Sequence, residues 1–261
     1  MSAFAYLIAE GVHDVAFLGK VLAVQWSASR VRRRSDLDEV LGRWVSSFKW
    51  PPGEHIDRLA VPAPHIYRVA LDLLVALRNA GGADNISGML EDDLDALSRY
   101  SAVPGAIGIL LDNDDRSAEG AFMRLRDAID GFNLPAPSSL GEVVAGPPRV
   151  GVFALPAPGI PGTLEDLLIA LGDVAYPELS AAARAYADEW RRRADADPDA
   201  EDWRELRKTA GTKKATIGAM AAILKPGTPS QVSLEANRWV SEQTKEVACI
   251  QPCLWVPEGA H

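Results

Sequence analysis

Cysteine is nearly absent from this chain: Cys249 and Cys253 are the only two in 261 residues. Two thiols build no disulfide framework and supply at most half of a zinc site. Histidine is also scarce, and His13, His55, His65 and His261 show no metal-ligand spacing. No apolar run approaches the ~20 residues that span a bilayer. The opening stretch, MSAFAYLIAEG, has no basic leader and meets an acid early, unlike a secretory signal. These absences point to a reduced, cytoplasmic protein that does not engage a membrane. Positive charge is short as well, with a net charge of −9 and a pI of about 5.0. That balance excludes a general-purpose nucleic-acid coat. It leaves room for a nucleic-acid enzyme whose bound divalent metals supply the local positive charge.

What is present suits one large α/β domain, or a core with a helical addition. Hydrophobic residues make up 48% of the chain, ample for a sizeable core. Three short apolar runs, FAYLIA (4–9), AIGILL (106–111) and RVGVFALP (149–156), read as strands buried on both faces. Helices are expected in DVAFLGKVLAVQW, ISGMLEDDLDALSRY, AEGAFMRLRDAIDGF, and GTLEDLLIALG with Thr163 as its N-cap. HIYRVALDLLVALRNAGG also has helical periodicity, with a stop at Gly81. AYPELSAAARAYADEWRRR, WRELRKTA and KKATIGAMAAIL make the last third mainly helical, with a break at Gly211 and a stop at PGTPS. Strands alternating with helices predict an open, mainly parallel sheet flanked by helices. The expected division is an α/β core over 1–172, holding a helical insert at about 30–100, and a helical region over 173–261 that completes the site.

Chemistry concentrates at the strand ends. AIGILLDNDDRSA runs from an apolar strand into Asp112, Asn113, Asp114 and Asp115, and the first strand ends in Glu10-Gly11. Ligands of open α/β sheets gather beyond the carboxyl ends of the strands. Residues two apart on a strand face the same way, so an extended chain lets Asp112 and Asp114 converge. Such hard oxygen donors suit magnesium or manganese. The competing reading is that these acids cap the following helix, which best explains Asp115 and Ser117. Glu165 and Asp166 carry the same ambiguity, because Thr163-x-x-Asp166 has capping-box spacing. Lys213 and Lys214 open the expected helix after Gly211, where cations cost ~0.3–1 kcal/mol each. Together with helix N–H groups they would clamp a phosphate; a helix continuing through Gly211 would instead leave them on a solvated face. Arg30, Arg32, Arg33 and Arg34 form a basic patch that could follow a phosphate backbone, although a solvated face is the simpler reading. His13, near Glu10, reads as a bystander, and the seven tryptophans as core or interface residues.

LIAEGVHDVAFLGKVL followed later by GILLDNDD resembles a TOPRIM domain, the metal-binding fold of topoisomerases, primases and OLD nucleases. That pattern is a strand-end Glu and then a D-x-D, here Glu10, Asp112 and Asp114. Asp14 falls where many members carry a second acid. VGVFALPAPGIPGTLEDLLI and KKATIGAMAAILKPGTPSQVSLEAN are similar to segments of small standalone TOPRIM-like bacterial proteins. The span from Val24 to Val103 carries no resemblance. The resemblance implies a TOPRIM-like (Rossmann-like) fold and a metal-dependent nuclease acting on DNA or RNA, with a role in phage defence. One or two Mg2+ or Mn2+ ions would be held by Glu10, Asp112 and Asp114, completed by Glu165 or Asp166. Lys214 would be the catalytic lysine, Glu10 alternatively a general acid or base, with Asp14 and Lys213 assisting and Arg32, Arg33 and Arg34 touching nucleic acid. OLD relatives that work with a separate ATPase imply an alternative. With no G-x-x-x-x-G-K-[ST] of its own, the chain would then be a regulatory subunit beside an ATPase partner. Strand-end aspartates also serve small-molecule phosphohydrolases, but Glu10-Gly11 is foreign to that pattern. Surplus apolar helices suggest a homo-oligomer.

Overall fold

The computed structural model describes residues 3–48, 63–71, 73–113, 118–157 and 159–247. Its strands are β1 (Ala3–Ala9), β2 (Ser29–Arg30), β3 (His65–Ala70), β4 (Leu73–Asn79), β5 (Ala106–Asp112), β6 (Val143–Val144) and β7 (Arg149–Leu155). Its helices are α1 (Val12–Gln25), α2 (Glu39–Ser47), α3 (Ile86–Arg99), α4 (Ala118–Gly131), α5 (Leu164–Ala175), α6 (Pro177–Ala196), α7 (Arg204–Arg207), α8 (Gly211–Leu224) and α9 (Ser230–Ala236). The strands form one seven-stranded sheet in the order β2-β3-β4-β1-β5-β7-β6. The central four, β4-β1-β5-β7, are parallel. β2 and β3 on one edge and β6 on the other are antiparallel to their neighbours. The fold is therefore a mixed α/β sandwich on a mostly parallel sheet, as expected.

Alternation along the strands builds two cores. Ala5, Leu7 and Ala9 of β1 and Ala106 and Leu110 of β5 face α1, α5, α6, α8 and α9. Tyr6, Ile8, Ile107, Ile109 and Leu111 face α2, α3 and α4. With both faces covered, a central strand needs apolar residues at every position, which is why these strands read as unbroken runs. Gly108 fits the same layer: a Cβ there would run into Leu7 of the neighbouring strand. The C-terminal helices pack into the first of these cores, where Ala183, Ile217, Met220, Leu234 and Trp239 join residues of β1 and α1.

The helical insert is only partly helical. α2 and α3 lie within it, but residues 65–70 and 73–79 form β3 and β4, an antiparallel pair, and not the helix that their spacing suggests. β4 is central and buried on both faces, so its run LLVALRN has no period by which a strand is told from a buried helix. The chain reverses just after β3, with Leu71 94% exposed. β2 and β6 have two residues each, too short to show in a sequence. On the α3 face, Asp93 accepts from Tyr6 Oη at 2.7 Å and from Arg78 Nε at 2.7 Å, a buried polar triad. Trp44 and Trp239 are core residues. Asp114, Asp115, Ser117, Trp50, Trp255, His55, His261 and both cysteines lie outside the described residues. No helix of the described residues is long and apolar enough to cross a membrane.

Candidate functional site

The winding direction reverses beside β1. From β1 the chain steps to β4 on one side, then crosses to β5 on the other and on to β7. The carboxyl ends of β1 and β5 thus flank the crevice where ligands collect in open α/β sheets. Glu10 follows β1 and Asp112 ends β5. The two are joined directly, since the backbone N–H of Asp112 donates to Glu10 Oε1 at 2.9 Å. Asp112 Oδ1 in turn accepts from the N–H of Leu164, the first residue of α5, at 2.9 Å. Glu165 is the next residue along α5. Asp14, in the first turn of α1, accepts from the N–H of Gly11 at 2.8 Å and is buried.

These four carboxylates act on one another. Burial, then repulsion from Glu10, pushes the Asp14 carboxyl up to about 7, against the pull of its own backbone hydrogen bonds. Burial, then repulsion from Asp14, Glu10 and Glu165, pushes Asp112 up to about 8, although the Leu164 N–H opposes it. Two carboxyls raised this far mark a place short of positive charge.

The opposite wall is cationic. α8 begins at Gly211, so Lys213 and Lys214 lie in its first turn, as expected. A Cβ at Gly211 would overlap the carbonyls of Glu205 and Leu206, so only glycine permits this tight corner between α7 and α8. Lys213 Nζ lies 2.7 Å from Asp166 Oδ1, and Lys214 Nζ lies 3.8 Å from Glu165 Oε1. Glu10, Asp112, Glu165, Asp166, Lys213 and Lys214 all line one cavity of about 790 Å3. Asp14 is not part of that lining and acts on it through its charge, which helps to raise the Asp112 carboxyl.

Capping accounts for part of this acidity. Asp166 closes the capping box of α5, accepting from the Thr163 N–H at 2.9 Å. Burial raises its carboxyl, but Lys213 and the Thr163 N–H outweigh that and hold it below the usual range. Asp14 serves α1 in the same way. The capping boxes of α1 and α5 use neither Glu10 nor Glu165.

Arg32, Arg33 and Arg34 do not line this cavity. Arg32 borders a separate groove, and Arg34 donates to Ser46 Oγ at 3.0 Å. Three contributors are not evident from the sequence. Asn113 donates its backbone N–H to Leu155 O at 3.0 Å and its side-chain amide to Ile160 O at 2.7 Å, and its carbonyl accepts from the Gly162 N–H at 2.8 Å. It thereby pins the loop that delivers Glu165; its only signal is its place between two aspartates. Arg207 and Lys208 also line the cavity, brought there by the α7–α8 corner.

Among the described residues, no three His, Cys, Asp or Glu side chains are grouped to hold a metal ion as they stand. The donor chemistry nevertheless suits a hard divalent cation. Glu10, Asp112 and Glu165 line one cavity, and Mg2+ needs only one or two carboxylates beside water and phosphate.

The fold and site define a protein with a mostly parallel α/β sheet and an acidic, lysine-walled cavity at its strand ends. The chain belongs to the family described as "Protein of unknown function (DUF3226)", whose model matches residues 5–251. A crystal structure of a hypothetical protein from Pyrococcus horikoshii is similar, with a TM-score of 0.55 at 14% identity, covering 96% of this chain and 93% of that one. At that identity the likeness is one of fold. No curated protein matches the chain.

Proposed function

We propose that this protein is a divalent-metal-dependent phosphodiesterase of the TOPRIM type, a nuclease akin to the OLD enzymes. One observation carries the reading. Carboxylates from the ends of β1 and β5 and the start of α5 share a cavity with two lysines from the first turn of α8. Glu10, Asp112 and Glu165 would hold Mg2+ or Mn2+, which when bound supplies an activated water and a Lewis acid toward a phosphoryl oxygen. Asp114 would join them on the strength of the sequence pattern. Asp14 raises the negative potential behind Asp112. Asp166 holds Lys213 in place and fixes the first turn of α5. Lys214, 67% exposed and only loosely paired, is the group able to turn to a phosphate and offset charge developing in the transition state.

The test is incubation of the purified protein with plasmid DNA, single-stranded DNA or bulk tRNA under Mn2+ or Mg2+, beside Asp112→Ala and Lys214→Ala. Cleavage by the wild type and by neither variant supports the reading and identifies the substrate. Metal binding without cleavage of any substrate would favour the alternative of a subunit controlled by a partner ATPase.

A further inference from the structure

A second charged feature lies apart from the acidic cavity. Lys20 of α1, Arg30 of β2, Arg32 and Lys225 at the end of α8 border a groove of about 610 Å3, with Glu235 of α9 as the one acid among the described residues of its lining. Among the described residues of the lining, four cations against one carboxylate stand out in a chain of net charge −9. A cleft lined by one sign of charge focuses the field and attracts counter-charge. The groove is assembled from distant parts of the chain. Arg30 is oriented by Glu235, with Nη1 3.1 Å from Oε1. Lys20 Nζ donates to the Glu235 carbonyl at 3.2 Å. Gly19 lets the Tyr67 hydroxyl lie against α1, where any Cβ would overlap it. Burial lowers the Lys20 ammonium against the pull of Glu235, so an anion arriving there relieves a desolvation cost already present.

The groove and the cavity are joined by helices. Lys214 and Lys225 belong to the two ends of α8, eleven residues or about 16 Å apart at ~1.5 Å per residue. α1 likewise starts under the acids, at Gly11 and Asp14, and carries Lys20 toward its other end. Both features lie on the helical layer of one sheet face.

We infer that the groove lined by Lys20, Arg30, Arg32 and Lys225 binds the phosphate backbone of the same nucleic-acid strand that enters the acidic cavity. The inference rests on the nuclease reading for the strand's identity, but the groove's binding is measurable without cleavage. The separation corresponds to about five nucleotides at the ~3.4 Å rise of a stacked, duplex-like strand, and to fewer in a more extended one.

The experiment is fluorescence anisotropy of a labelled single-stranded oligonucleotide, long enough to span both sites, in EDTA. It compares the wild type with Arg32→Glu, Lys225→Glu and the milder Lys225→Gln, each checked for an unchanged melting temperature. Charge reversal should weaken binding at least tenfold and flatten its salt dependence by ~0.7 in log–log slope for each phosphate that the variant no longer neutralises. Equal binding by all variants would overturn the inference. So would displacement of the oligonucleotide by inorganic phosphate at low concentration, which would make the groove a small-anion site. A Mn2+ cleavage assay on the same oligonucleotide separates the two claims. Cleavage with groove-independent binding sinks the groove and leaves the nuclease; groove-dependent binding without cleavage by any version sinks the nuclease and leaves the groove.

Discussion

The backbone N–H of Asp112 donates to Glu10 Oε1, tying the ends of β1 and β5 together across 102 positions of sequence. The bond makes the first strand-end acid a structural partner of the second. Both acids therefore stand at the crevice, next to Asp14 and Glu165, in a pocket that raises Asp14 to about 7 and Asp112 to about 8. The repulsion stored there is what a cation would remove.

Stability should depend on pH with a definite sign. Both carboxyls are raised from an ordinary value of 3.8, so between that value and about 7 to 8 the folded protein keeps protons that the unfolded chain has released. Stability is then lost as pH rises through that window and levels off above it. In EDTA the melting temperature should fall from pH 5 to pH 9 (about the span of the window), and Asp112→Asn should flatten the fall. A rise over that range would contradict the charge assignment.

Lys214→Ala should separate catalysis from folding. Its side chain is 67% exposed, so the loss in stability should stay within ~0.5 kcal/mol. The nuclease reading calls for a fall in kcat of about 10²–10³. Comparable kcat in wild type and variant, measured at saturating substrate, would remove Lys214 from the site.

Gly211→Ala should act on the same lysine from a distance. The added methyl overlaps two backbone carbonyls at the α7–α8 corner. An overpacked position of this kind costs ~1–3 kcal/mol, and relieving it moves the first turn of α8. Melting temperature and activity should both fall, in contrast to Gly218→Ala, where a Cβ meets nothing within 4 Å.

Asp93→Ala tests the far side of the sheet. Asp93 and Arg78 are only 5% and 9% exposed, and removing one partner of a buried pair costs ~3–5 kcal/mol. Urea unfolding should show a loss of that size, with Asp93→Asn milder because it keeps an acceptor for Tyr6. A change under about 1 kcal/mol, well below that range, would mean the triad contributes little.

The sequence is most informative where burial is two-sided and chemistry is concentrated. β1, β5 and β7 are unbroken apolar runs because both their faces are covered, and Glu10 and Asp112 are legible as polar residues ending such runs. Lys213 and Lys214 are legible as cations at an unfavourable helix start. β4 is illegible for the same reason that β1 is plain: a two-sided strand rich in Leu and Ala has no period, and beside β3 it mimics a helix. Asp14 is legible only as a second acid after the Glu10-Gly11 turn; that it also caps α1 and is the most deeply buried acid of the cluster is shown by the packing of α1 against the sheet. Of the basic groove, the sequence offers only Arg30 and Arg32, as part of a basic patch; Lys20 and Lys225 join them through the tertiary fold. Arg32, Arg33 and Arg34 are adjacent in the chain, yet that adjacency does not bring them to the acidic cavity.

The most direct measurement is titration calorimetry of Mn2+ into the metal-free protein at pH 8, where Asp14 is largely ionised and Asp112 about half ionised, beside Asp112→Ala. Saturable binding to the wild type, abolished or strongly weakened in the variant, is the expected result. At a hundredfold excess over Kd it should bring ~2.7 kcal/mol of added stability. No binding to the wild type would contradict the metal site and leave the acids as helix caps and strand-end ties.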